Sequence, residues 1–193
     1  MEAKENKLSF TARLCKFILE KVFRFEIISG AAPVKKCILA GAPHTSMWDF
    51  IVAYLFYRSL DHFPYVMVKA SLFWGPVGWA LKKCGAIPVD QKSKSAMVRS
   101  VIHEMESREV FHLAMAVEGT RKPVKKWAKG YHLIAKAVGC PVYLCIFSWK
   151  PRRVGVVKEF VLTDDANADT IRMQQEYEDM HIVGKHPEKF ITK

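Results

Sequence analysis

The chain has 193 residues, enough for one domain that buries about 70% of its extended surface without help from a disulfide or a metal. Hydrophobic residues at 50% and charged residues at 25% exclude disordered, collagen-like and low-complexity classes. Thirty Lys+Arg against 19 Asp+Glu give a net charge of +11; six acids and one base fall within 164–179, so the remainder carries +16. A field of that size points to nucleic acid, an anionic membrane surface or phosphorylated substrates, without choosing among them.

In chain order, the first segment with a clear pattern is 8–28, read as a helix closed by Ser29 and Gly30. Arg13, Lys16, Glu20 and Arg24 recur at spacings of three and four and share one stripe, surrounded by Leu14, Phe17, Leu19, Val22, Phe23 and Ile27. Two readings stay open: a core-packed terminal helix, or a helix lying in a membrane interface. Residues 1–36 carry a net +4, which anionic lipid would reward by about 1 kcal/mol per charge. We expect this stretch (1–30) to form an amphipathic membrane-associating unit ahead of a catalytic domain at 31–193.

The run 36–44 reads as a buried strand opening into a loop, and 48–60 as a buried helix. A strand follows at 65–68, then a helix at 71–81 interrupted by Gly75, Pro76 and Gly78, and a short strand at 86–89. The segment 94–108 has helical amphipathicity, 110–117 is a strand ending at Glu118, and 131–138 is a helix closed by Gly139. Strands at 142–147 and 154–161 and a solvated acidic helix at 169–179 complete the chain. Strands alternating with helices predict a single α/β domain: a central, mixed but mostly parallel sheet flanked by helices.

Five cysteines, an odd number with no CxxC pair, suit a reduced setting. The charged start and the lack of a long apolar run argue against a signal peptide or a spanning helix. There is no GxSxG, P-loop, GxGxxG or HExxH. The feature that stands out is His44-Thr-Ser-Met-Trp-Asp49 at the mouth of a strand. A neutral imidazole can take a hydroxyl proton, and a carboxylate on its other nitrogen would fix the tautomer and stabilise the imidazolium; a purely structural His–Asp pair is the alternative. Glu118-Gly-Thr-Arg121 also follows an apolar strand and precedes Lys122, Lys125, Lys126 and Lys129. Arg121 on a glycine turn could present its fork to a phosphate, or the loop could simply be a solvated basic turn. The third feature, Lys69 to Trp79 with Gly75, Pro76 and Gly78, suits either close approach of a ligand or a kinked packed helix. Met47, Trp48, Trp74 and Trp79 read as an acyl pocket or as core. The remaining histidines have no partner at a telling spacing.

Taken in this order and at these intervals, the blocks resemble the glycerolipid acyltransferase family typified by bacterial lysophosphatidate acyltransferases. Pro43 to Phe50 follows the PHTSxWDF block of its short members, Glu118–Arg121 matches EGTR, Lys69 to Val89 resembles the second block, and Cys140-Pro141-Val142 matches a small residue–Pro–Val strand start. The resemblance spans roughly 36–160. It implies that His44 is the general base on the acceptor hydroxyl, supported by Asp49, and that the thioester is attacked without an acyl-enzyme. It implies an acceptor site of Glu118, Gly119, Thr120 and Arg121, with Arg121 on the phosphate and Lys69 and Gly75 assisting at the head group. The implied donor is acyl-CoA or acyl carrier protein, with no metal and no further cofactor. The implied acceptor is a lyso-lipid, reached from a peripheral position on the anionic cytoplasmic membrane face, with no nucleic acid partner.

Two positions depart from the family pattern. Ala116-Val117 replaces the Phe-Pro that often precedes EGTR, and Asp90-Gln91 stands where relatives have Asp-Arg. The missing arginine removes a charged hydrogen bond worth about 1.5–3 kcal/mol. Either Lys82, Lys83 or Lys92 compensates, or the acceptor is a different hydroxylated lipid such as an acylated amino acid. A basic nucleic-acid-binding protein is the rival from another class, although the chain lacks RNP-like strands, a recognition helix and a zinc module.

Overall fold

A computed structural model describes residues 8–90 and 93–192. Seven strands form one sheet in the order β1-β7-β6-β2-β5-β3-β4. They are β1 (Glu26–Ile27), β2 (Lys36–Ala42), β3 (Pro64–Lys69), β4 (Ala86–Val89), β5 (Phe111–Ala116), β6 (Val142–Trp149) and β7 (Arg152–Phe160). Among the described residues only the β6–β7 pair is antiparallel. The helices are α1 (Phe10–Phe17), α2 (Met47–Ser59), α3 (Gly75–Lys83), α4 (Lys94–Glu106), α5 (Gly130–Val138) and α6 (Ala166–Asp179). This is the expected single α/β domain.

The sheet is covered on both faces, which is why its central strands read as continuous apolar runs. On β2 the side chains alternate between two cores. Ile38, Ala40 and Ala42 join Val101 and Met105 of α4, Tyr131 and Ile134 of α5, and Met173 and Tyr177 of α6. Cys37 and Leu39 join Leu19, Phe25, Val52, Phe56 and Tyr57 on the opposite side. β6 repeats the pattern, with Val142, Leu144 and Ile146 in the first core and Tyr143 and Phe147 in the second. α5 ends where expected, at Gly139, whose φ of +68° is a left-handed cap.

Three expectations need correction. The first helix does not run to residue 28. α1 passes into a wider turn at Ile18–Val22 and stops; Arg24 takes a left-handed conformation (φ +58°), and Glu26–Ile27 peel off as β1 beside β7. Apolar periodicity across 25–28 therefore belongs to a buried Phe25 and an edge strand, not to a helix. α1 itself packs one stripe (Ala12, Cys15) into the domain against α2, while Phe10, Leu14 and Phe17 stay exposed. Second, the acidic helix is not simply solvated. α6 buries Asp169, Met173 and Tyr177, which lie four residues apart on one stripe. The Tyr177 hydroxyl donates to the carbonyls of Ala40 and Cys145, tying α6 to the centre of the sheet. Third, Met47, Trp48, Trp74 and Trp79 are all exposed, so none of them is core.

Candidate functional site

β2 and β5 are adjacent parallel strands, with Lys36 beside Phe111 and Gly41 beside Ala116. Their C-terminal ends therefore deliver the loops 43–46 and 117–121 to one edge of the sheet. This topology brings together the two strongest sequence blocks, which lie 74 residues apart at His44 and Glu118.

The loop after β2 is held by two buried carboxyl groups. The backbone N–H of His44 donates to Glu118 Oε2 at 2.7 Å. Those of Thr45 and Ser46 both donate to Asp49 Oδ2 at 2.6 Å. The other Asp49 oxygen accepts from the Trp149 indole N–H at 2.7 Å. Ser46 caps α2, accepting from Trp48 N–H, so the first turn of the helix and the loop before it form one bonded unit. Asp49 is fully buried, and these three donors offset the cost of placing it there.

The His44 ring lies against this unit, with Nδ1 3.9 Å from Asp49 Oδ2. That is too long for a hydrogen bond, so in this state the carboxylate acts on the imidazole through its field. Burial lowers the pKa of His44 from its ordinary value; Asp49 opposes the shift and Arg121 adds to it. The imidazole is thus neutral near neutral pH, the form that can accept a proton. The Arg121 contribution places the two loops in one electrostatic environment.

Glu118 behaves differently from Asp49. Burial pushes its carboxyl up to about 8, with the nearby Asp49 charge adding to the rise and the His44 N–H opposing it. Its Oε1 is buried and has no hydrogen-bond partner among the described residues. A largely protonated carboxyl suits such a position, because an unpaired charged oxygen there would cost several kcal/mol, on the order of the buried-ion penalty. Gly119 follows in the left-handed region (φ +71°), and a Cβ there would stand 2.8 Å from Ala128 Cβ. The EGTR turn therefore needs glycine both for its backbone and for its neighbour.

Beside the two loops lies an open cleft of about 430 Å³. Thr45, Ser46 and Thr120, which bear hydroxyls, and the cationic Arg121 and Lys122 line its wall. His186 and Lys189, from the C-terminal segment, complete the wall. Lys69 ends β3 and Gly75 (φ +46°) opens α3, one strand beyond β5 at the same sheet edge; neither lines this cleft. Of the lysines expected to compensate for Gln91, Lys83 lies over the Trp79 ring at 4.5 Å; Gln91 and Lys92 lie outside the described residues.

Trp149, His186 and Lys189 carry no sequence signal for the site. Trp149 meets Asp49 across 100 residues, and the other two arrive from beyond the last helix. Trp149 is held in turn by its backbone N–H on Val183 O at 2.8 Å, and the Lys185 ammonium lies over the Trp149 and Trp48 rings at 4.6 and 4.8 Å.

Comparison with known proteins agrees with this fold. The Acyltransferase family model matches residues 27–148, more than half of the chain. A search of characterised proteins by sequence finds no significant match. Among solved structures, the 1-acyl-sn-glycerophosphate acyltransferase PlsC of Thermotoga maritima is similar in fold, with a TM-score of 0.58 at 15% identity. The alignment covers 93% of this chain and 83% of that one.

Proposed function

Because the chain belongs to the acyltransferase family, we propose that it transfers a fatty acyl group from an acyl thioester, acyl-CoA or acyl carrier protein, to the hydroxyl of a lyso-lipid such as 1-acylglycerol-3-phosphate. The observation that carries this reading is the hydrogen bond from His44 N–H to Glu118, which joins the candidate base to the candidate acceptor loop. The name of the similar structure, a 1-acyl-sn-glycerophosphate acyltransferase, supports the acceptor class.

In this mechanism Asp49 faces His44 Nδ1, which leaves Nε2 for the acceptor hydroxyl. As Nε2 takes the proton, the oxygen attacks the thioester carbonyl carbon. The tetrahedral oxyanion then collapses, the C–S bond breaks, and His44 returns the proton to the departing sulfur, which regenerates the neutral imidazole. An ester and a free thiol result, with no acyl-enzyme. The amides of His44, Thr45 and Ser46 are already bonded to Glu118 and Asp49, so the oxyanion donors that lower this barrier come from elsewhere. Arg121 and the Thr120 hydroxyl face the acceptor's phosphate from the cleft, and Lys69 and Gly75 assist from the next strand along the sheet edge. No metal or further cofactor takes part.

Among the described residues no helix is long and apolar enough to cross a membrane. Access to a lipid acceptor instead comes through a peripheral face. Phe10, Leu14, Phe17 and Val22 are exposed along the first helix, and the Phe23 ring stands 5.8 Å from Trp48 beside the catalytic loop. We place this face on the anionic cytoplasmic leaflet.

The test is release of free thiol from an acyl thioester with a panel of lyso-lipids, comparing the native chain with His44→Ala. Removing a general base costs about 10²–10⁴ in rate, so His44→Ala loses transfer while its circular dichroism and melting temperature stay close to native. Near-native transfer by His44→Ala would refute the mechanism.

A further inference from the structure

We infer that the C-terminal segment supplies the second half of the acceptor's phosphate site: His186 and Lys189, facing Arg121 and Lys122 across the cleft, bind the phosphate monoester of the lyso-lipid head group. The inference rests on the acyl-transfer reading above and extends it to residues outside 27–148, the span of the family model.

The segment is built onto the catalytic loop at several points. Val183 O accepts from Trp149 N–H at 2.8 Å, and Val183 N–H donates to Ser148 Oγ at 3.0 Å, anchoring the segment at the end of β6. Gly184 lies directly over Thr45, where a Cβ would come within 2.7 Å of Thr45 Cγ2. The next contact is the His186 backbone N–H donating to Thr45 Oγ1 at 3.2 Å. Beyond it, Ile191 O accepts from the Trp127 indole N–H at 3.0 Å, and the Phe190 ring lies 5.9 Å from the Trp127 ring. Trp127 is fixed on the loop that carries Arg121 and Lys122, whose far end is pinned by Ala128 N–H on Val117 O at 2.9 Å. The segment is thus a strap running from the Asp49-supporting strand, across Thr45, to the EGTR loop.

A cleft with Arg121, Lys122 and Lys189 on its wall, plus the three hydroxyls and the His186 imidazole, has the chemistry of a dianion site. Glu188 reaches within 3.7 Å of His186 Nδ1 but does not line the cleft. The strap also answers the departure at Gln91: the cationic contact that relatives place after their second block is made here from the C-terminal end. Lys82 and Lys83 do not line this cleft.

The experiment compares the native chain with Lys189→Ala, Lys189→Arg and the pair His186→Ala plus Lys189→Ala. Acceptor and donor KM are measured separately, with 1-acylglycerol-3-phosphate and with a phosphate-free monoacylglycerol. Loss of one charged contact predicts an acceptor KM raised about tenfold for Lys189→Ala, and more for the pair, with kcat and donor KM unchanged. Lys189→Arg restores most of the affinity, and the monoacylglycerol shows no such dependence. An unchanged acceptor KM would overturn the inference, and so would a rise confined to the donor KM, which would assign the cleft to the donor's phosphates. Titration with glycerol 3-phosphate decides the matter independently of turnover. Weaker binding by the pair supports the strap site even if no lyso-lipid is acylated, an outcome that sinks only the acyl-transfer reading. Equal binding, or none by the native chain, overturns the strap site.

Discussion

At the scale of the residue, the central fact is that two buried carboxyl groups hold one loop with different sets of donors. Asp49 takes two amides and an indole N–H; Glu118 takes one amide and is pushed up to about 8 by burial. A Glu118 carboxyl raised in this way adds little negative charge beside the imidazole. His44 is lowered chiefly by burial, with the Arg121 charge disfavouring the imidazolium further. The sign of the pH effect follows. The proposed base works when deprotonated, so kcat/KM should fall as pH drops through the His44 pKa, with that acid limb below the ordinary imidazole value of 6.5. Arg121→Gln removes a positive neighbour, so its acid limb moves to higher pH, toward 6.5, in addition to any rise in acceptor KM. A pH series of kcat/KM for the native chain and Arg121→Gln measures both limbs. Coincident limbs would show that the two loops are not electrostatically joined.

At the scale of the element, most of the chain was legible from its periodicity. β2, α2, β4, α4 and α5 fall within a residue or two of their expected ends because each combines an apolar pattern with a clear stop: Pro43, Asp61, Asp90, Ser107, Gly139. The site blocks were legible for a similar reason, since each sits directly after an apolar strand. The misreadings are of two kinds. At 23–28 the periodicity is that of a helix, but Arg24 in the left-handed region breaks it, and nothing local marks a non-glycine residue for that conformation. In α6 six nearby acids masked a buried stripe whose partners lie on β2 and β6, information that no local window holds. Trp149, His186 and Lys189 were missed for the same reason, because only tertiary contacts bring them to the loop. The buried stripe makes α6 a structural element, and this has a consequence at its start. Asp165 caps the helix, accepting from Asn167 and Ala168 N–H through Oδ1. Asp165→Ala should cost about 1 kcal/mol and lower the melting temperature by roughly 2–4 °C, as expected for a chain of this size, with kcat unchanged. Thermal unfolding followed by circular dichroism reads the first and thiol release the second. A solvated, unpacked helix would give no shift in melting temperature.

At the scale of the whole molecule, the charge that first pointed equally to several anionic partners now has a distribution. One part lies around Arg121, Lys122 and Lys189 on the cleft wall. Another accompanies the first helix, whose exposed surface carries Phe10, Leu14, Phe17 and Val22 beside Arg13, Lys16 and Lys21. The inner stripe of that helix is occupied by α2, and Ser9 is fixed to Asp61 through both its N–H and its hydroxyl. Packing therefore accounts for one side of the helix and leaves the opposite apolar side for something else. The Phe23–Trp48 contact carries the apolar face to the start of α2, next to His44. Trp74, just before α3, and Trp79 on it are both exposed and extend the same kind of surface to the helix that follows β3. A lipid surface would match all of these features at once: aromatic side chains for the interface, cations for anionic head groups, and access to the lyso-lipid acceptor proposed above. The test is co-sedimentation with phosphatidylcholine vesicles with and without phosphatidylglycerol. Phe10→Ser with Phe17→Ser removes two exposed side chains, so the fold and turnover of a detergent-dispersed acceptor should persist. Vesicle binding by that double variant should fall at least tenfold, since each buried aromatic side chain contributes about 1.5–3 kcal/mol. Binding by the native chain should weaken as phosphatidylglycerol is omitted or salt is raised, because part of it is screened attraction. Vesicle binding that ignores both the phenylalanines and the salt would mean that the first helix faces water, and that the acceptor reaches His44 by extraction from the membrane.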